Sequence, residues 1–307
     1  MCADKSLKAV RPGVVESCAH VQAHCGFTLI ELLVVISIIA ALTGIIVPSL
    51  NKARQQAKAL IGASNQREIV NGANLFAGDN DHRYPESVAT LGDDRWNWAE
   101  PMMLTGRRPR RPDLHRSVSA YLRPYISDAG TIFCPSAPQK YEFLQDAWDA
   151  GDDWDNPRTP PVLDPVSGTY CFYWNYTGYL PDRRYFFRGP RDTAGGPRWS
   201  RLLVGDYFGY DHHRSPSCYG SCEKFSGAAI TEGTVVSSAY WSIFSGDGSS
   251  KPRIKLRAGY TDGHVDTYSS TETVTMKVII KPETGEPYPS GDGSGPGDFF
   301  LPRIALH

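Results

Sequence analysis

The run from Phe27 to Leu50 holds a single ionisable side chain, Glu31. Roughly 20 apolar residues in a helix cross the hydrocarbon core of a bilayer, so this run is long enough to span one. A secretory signal core is shorter, about 7 to 15 residues, and carries its small-residue cleavage site on the far side. Glu31 is the anomaly, because a carboxylate near the middle of a membrane helix costs about 2.5 to 3.5 kcal/mol on insertion scales. Its place near one end of the run softens that cost without explaining the residue. An acid there is read by default as functional.

Beyond Pro48, residues Leu50, Ala53, Ala57, Leu60, Ile61 and Ser64 recur at helical spacing, with Lys52, Arg54, Gln55 and Lys58 elsewhere around the cylinder. Ile69, Ala73 and Phe76 prolong the stripe until Gly78, Asp79, Asn80 and Pro85 stop it. One helix of roughly 50 residues with a kink at Pro48 is predicted. From Asp79 onward Gly and Pro are frequent and the hydrophobic pattern shortens, which predicts a β-rich region. Strands are expected at 170–175, 201–207, 239–244, 254–260, 264–268 and 274–280, in a small antiparallel sheet against the helix. The segments "DAGDDWDNPRTPPVLDPVSG" and "RGPRDTAGGPRWS" read as surface loops. The formal charge of −1 argues against bulk electrostatic binding of nucleic acid, and no nucleic-acid partner is expected.

The stretch Gly26-Phe27-Thr28-Leu29-Ile30-Glu31-Leu32-Leu33-Val34-Val35 resembles the N-terminus of type IV prepilins and type II secretion pseudopilins. The resemblance implies an α+β, pilin-like fold, with a long N-terminal helix on a small antiparallel head. It implies a leader, 1–26, removed by a prepilin peptidase, with Gly26 and Phe27 flanking the cut and Phe27 becoming N-methylated. Residues 27–50 would be the transmembrane or filament-core half of the helix, 51–78 its amphipathic half and 79–307 the head. Glu31 takes the place of the assembly acid, neutralised by the α-ammonium of a neighbouring subunit's Phe27; unpaired, each charge would be costly to bury. The implied partners are the peptidase, membrane lipid, an inner-membrane assembly platform, and further copies or other pseudopilins in a filament. The implied location is a single-pass inner-membrane protein with a cytoplasmic N-terminus and a periplasmic head, later a pilus or pseudopilus. Cys25 stands where the family usually has Lys or Arg. The alternative is a membrane-anchored periplasmic enzyme or binding protein that uses this N-terminus only for export.

A second, looser resemblance lies at Tyr260-Thr261-Asp262-Gly263-His264-Val265-Asp266. It is similar to the pilin-like family named for its H-X9-DG motif, supported by Phe133-Cys134-Pro135-Ser136 and Phe299-Phe300-Leu301-Pro302. The family's histidine would fall at position 252, where this chain has Pro252. Asp262-Gly263 therefore reads as a two-residue hairpin turn that needs positive φ.

Four cysteines follow the apolar run: Cys134, Cys171, Cys218 and Cys222. In an oxidising compartment, disulfides Cys134–Cys171 and Cys218–Cys222 are expected among three connectivities, with zinc on Cys218, Cys222, His212 and His213, or free thiols, the alternatives. The acidic loops near Asp79, Asp247 and Asp292 lack the ligand series of a calcium-binding EF-hand, and no cofactor is expected; the alternative is calcium in the Asp292 loop, which the pseudopilin resemblance implies, or zinc. The basic run 106–112 reads as a solvated loop, and the seven tryptophans as packing, with a glycan-binding surface the alternative. No nucleophile elbow, P-loop, dinucleotide fingerprint or zinc-protease motif is present, so no enzyme activity is expected.

Overall fold

The computed structural model describes residues 28–91, 96–97, 101–105, 117–135, 142–152, 154, 168–180, 185–211, 217–220, 255–269, 272–281, 286–287 and 298–306. The chain divides after Lys52 into two compact units, taken in turn below. Helix α1 spans Leu29–Asp79 and contributes to both.

In the first unit α1 is exposed along its whole apolar length; Leu29, Ile30, Leu33, Ile38, Leu42 and Ile45 are each more than half accessible. Among the described residues it is the helix long and apolar enough to cross a membrane. Its hydroxyls are turned inward on their own backbone: Ser37 Oγ donates to the Leu33 carbonyl at 2.7 Å and Thr43 Oγ1 to the Ile39 carbonyl at 2.8 Å. Ser49 Oγ donates to the Ile46 carbonyl at 2.8 Å. Such back-bonding removes the penalty of a bare hydroxyl in lipid. Pro48 lies inside α1 and has no N–H for the ladder.

In the second unit α1 is followed by β1 (Thr90–Leu91), β2 (Trp96–Asn97), α2 (Val118–Leu122), α3 (Glu142–Asp149), β3 (Tyr170–Phe172), β4 (Thr177–Leu180) and β5 (Tyr185–Arg188). Then come β6 (Leu202–Asp206), β7 (Phe208–Asp211), β8 (Ser217–Gly220), β9 (Lys255–Tyr260), β10 (Val265–Ser269), β11 (Thr273–Lys281), β12 (Glu286–Pro287) and β13 (Asp298–Pro302). Every strand pairing among the described residues is antiparallel. One sheet has the order β10-β9-β6-β3; a larger one runs β5-β4-β11-β13-β7-β8, with β12 against β11. The expected α+β, pilin-like architecture is present; β1 and β2 form a separate two-stranded sheet, and a larger sheet stands beyond the single small one expected.

The face of α1 that packs in this unit is Gly62, Gln66, Ile69, Val70, Gly72, Ala73 and Ala77. The buried stripe therefore starts later than its hydrophobic pattern predicts, since Leu60 is 73 % and Ile61 50 % exposed. Two apolar clusters share strand β3 by alternation. Tyr170, Phe172 and Trp174 join Ile69, Val70 and Leu122 in one, and Cys171, Tyr173 and Tyr176 join Leu256, Met276 and Phe299 in the other. The sequence reading missed β1, β2, β4, β5, β7, β8, β12 and β13; the expected strand at 239–244 lies outside the described residues.

The alternation on β3 also corrects the expected Cys134–Cys171 bridge. Cys134 is disulfide-bonded, whereas Cys171 keeps a buried thiol. Cys134 packs in the first cluster and Cys171 in the second, on opposite sides of strand β3. Side-chain structure at Cys218 and Cys222 lies outside the described residues.

Candidate functional site

Thr28 precedes the first helical residue of α1, and Leu32 N–H donates to its carbonyl at 3.2 Å. Its hydroxyl oxygen accepts from Glu31 N–H at 3.2 Å. In return, Oε2 of Glu31 accepts from the Thr28 backbone N–H at 2.9 Å and from the Thr28 hydroxyl at 2.8 Å. This reciprocal pair is a capping box, which satisfies amide donors that a helix start otherwise leaves open. The positive end of the helix dipole favours the carboxylate at the same place. Glu31 Oε1 has no hydrogen-bond partner among the described residues, so one carboxylate oxygen stays available to a cation from outside. The site can thus present a fixed, helix-anchored anion on an apolar rod.

Glu31 stands where the sequence reading places its acid. Gly26 and Phe27 lie outside the described residues. Thr28 was overlooked as a site residue, although a Thr followed three residues later by Glu at the head of an apolar run is the capping-box signature.

Residues 22–47 match the prokaryotic N-terminal methylation motif. The match contains Gly26, Phe27 and Glu31, which makes the capped acid part of a prepilin-type N-terminus. No curated protein and no solved structure matches the chain.

The other candidates are dispersed. Asp262-Gly263 closes the β9–β10 hairpin, with Gly263 at φ +90° and its N–H donating to the Tyr260 carbonyl at 2.9 Å. Tyr260 N–H donates to the His264 carbonyl at 3.0 Å, so the loop is 261–263, one residue longer than the two-residue turn expected. A glycine in the left-handed region is what a three-residue hairpin needs. His264 bonds to Asp262 through Nδ1 and lies 3.4 Å from Asp266 through Nε2, while its ring stacks on Tyr260 at 4.5 Å. Burial raises the Asp262 pKa, but the bonds from His264 outweigh it and hold the carboxyl below its ordinary value. Among the described residues no group of three or more His, Cys, Asp or Glu side chains is arranged to hold a metal. Asp79 accepts from the Tyr125 hydroxyl at 2.9 Å. The loops at Asp247 and Asp292, the basic run 106–112, and His212 and His213 lie outside the described residues.

A buried polar junction was not foreseen. Asp206, at the end of β6, accepts from Gln66 Nε2 at 2.8 Å and from the Arg257 backbone N–H at 3.0 Å, with Arg257 Nη1 at 3.4 Å. All three residues are almost fully buried. The junction ties the amphipathic half of α1 to the β6–β9 ion pair, since a slip by one turn would take the Gln66 amide from Asp206 and leave a buried polar group without that partner.

Proposed function

We propose that the chain is a structural, non-enzymatic subunit of a type II secretion pseudopilus or type IV pilus-like filament. A prepilin peptidase cuts after Gly26, Phe27 is N-methylated, and the apolar half of α1 serves as membrane anchor first and filament core afterwards. The supporting observation is the methylation motif over residues 22–47 around an acid that is capped but has one oxygen to spare. An exposed apolar helix needs either lipid or other helices around it, and the proposal supplies each in turn. Glu31 Oε1 then receives the α-ammonium that proteolysis creates on a neighbouring subunit. The disulfide at Cys134 agrees with a head exported to an oxidising compartment. The test is Glu31→Ala in the native host. The variant is expected to be inserted and processed but left out of filaments, and incorporation at the normal level would refute the assembly role.

A further inference from the structure

On the second unit, the outer edge of strand β5 and the loop that follows it enclose a cleft of 440 Å³. Its chemistry is set by Tyr185, Arg188, Asp192, Arg198, Trp199 and Arg201. The loop holds a defined shape: Asp192 Oδ1 accepts from Gly195 N–H at 3.0 Å, and Gly195 takes φ +64°. Trp199 N–H donates to the Gly196 carbonyl at 3.0 Å, and Ser200 N–H to the Arg188 carbonyl at 2.8 Å. That last bond lays the loop along the edge of β5 and brings Arg198 and Trp199 beside Arg188. The Arg188 guanidinium lies over the Trp199 ring at 5.8 Å. Arg188, Arg198 and Arg201 are all exposed, and among the described residues no carboxylate forms an ion pair with Arg188 or Arg198. Among the described lining residues Asp192 is the one acid, and its Oδ1 accepts the Gly195 N–H, so the three arginines outnumber the carboxylate there.

We infer that this cleft binds an acidic polysaccharide, its carboxylates held by Arg188 and Arg198 and a sugar face laid against Tyr185 and the Trp199 edge. The Arg188 and Arg198 guanidinium groups each present a planar fork of N–H donors that matches a carboxylate, and the position of Arg188 over the Trp199 ring adds a cation–π attraction that biases it toward the cleft. The concentration of three cationic groups in a chain of net charge −1 selects for an anionic ligand at this place. Single-stranded nucleic acid would need successive open aromatic faces for its bases. Here one Trp199 face is covered by Arg188, and Tyr185, 48 % exposed, is left as the open ring. The cleft lies wholly in the second unit and does not depend on filament assembly.

The test is calorimetric titration of the full chain in detergent micelles with an oligogalacturonate, a neutral cello-oligosaccharide and oligo(dT). Saturable binding of the oligogalacturonate is expected, weakened by added salt and about tenfold by Arg198→Ala or Arg188→Ala, the scale of one charged hydrogen bond. Arg198→Ala touches only an exposed loop side chain, so it reads the site even where Arg188→Ala disturbs Trp199. The inference is overturned by an absence of oligogalacturonate binding, by binding that both variants leave unchanged, by equal binding of the neutral sugar, or by tighter binding of oligo(dT).

Discussion

Glu31 and Thr28 show how a charged side chain is carried at the end of an apolar helix. The carboxylate takes two hydrogen bonds from Thr28, one of them from a backbone amide that a side-chain truncation leaves in place. Thr28→Ala deletes the hydroxyl bonds and keeps the amide bond, so the first turn of α1 should loosen by about 1 kcal/mol, the usual value of an N-cap. Hydrogen exchange of the amides at Ile30 to Leu32 in micelles should accelerate accordingly, whereas Thr28→Ser, which keeps the hydroxyl, should retain protection. Asp206 behaves differently, being buried against Arg257 and Gln66. Asp206→Ala leaves a guanidinium in the core without its carboxylate and should destabilise the second unit by about 3 to 5 kcal/mol in denaturant unfolding. The methylation motif around Gly26, Phe27 and Glu31 was legible in the sequence because it is contiguous. Asp206, Gln66 and Arg257 were not, because residues 140 and 51 positions apart meet only through the fold.

Helix α1 and strand β9 touch where a glycine lets them. A Cβ on Gly259 would sit 2.7 Å from Val70 Cγ2 and 3.0 Å from Val204 Cγ1, closer than packed carbons come. Gly259→Ala is therefore expected to push α1 off the sheet and to lower stability by about 1 to 3 kcal/mol, the range of overpacked cores, as read by thermal unfolding. The helix itself was legible from its apolar run and its Gly-Asp-Asn stop. Its buried face was read too early, since apolar residues such as Leu60 and Ile61 report hydrophobicity and not what covers them. Strands β4, β5, β7, β8 and β13 escaped because they are short and rich in Gly, Tyr and Phe, and their pairing is decided by distant partners. The segment 188–200 was read as a loop, which holds after Arg188, the last residue of β5, but its basic cleft needs the Ser200–Arg188 bond that folds it back on β5.

The molecule as a whole combines an uncovered apolar rod with a tyrosine-rich β region. Burial, reinforced by the Asp192 charge, pushes the Tyr84 hydroxyl up to about 12. Burial first, and then neighbouring groups, raise Tyr170, Tyr173 and Tyr268 well above the ordinary tyrosine value. These groups stay protonated in the folded chain after they ionise in the unfolded one. Their contribution to stability is complete below about pH 10 and is lost as pH rises toward the folded-state values. Tyrosinate absorbance should therefore show an early fraction near pH 10 and a delayed fraction that appears together with unfolding. The cysteines offer a parallel reading of the fold, in which Cys171 is alkylated only after denaturation and Cys134 only after reduction.

The proposed processing at the start of α1 would turn an anchored precursor into a subunit, and mass spectrometry of the N-terminal peptide from the native host tests it most directly. The expected peptide begins at Phe27 and carries one N-methyl group. A chain that still begins at Met1, or one cut beyond Ala41, would contradict the proposed maturation and with it the pairing of Glu31.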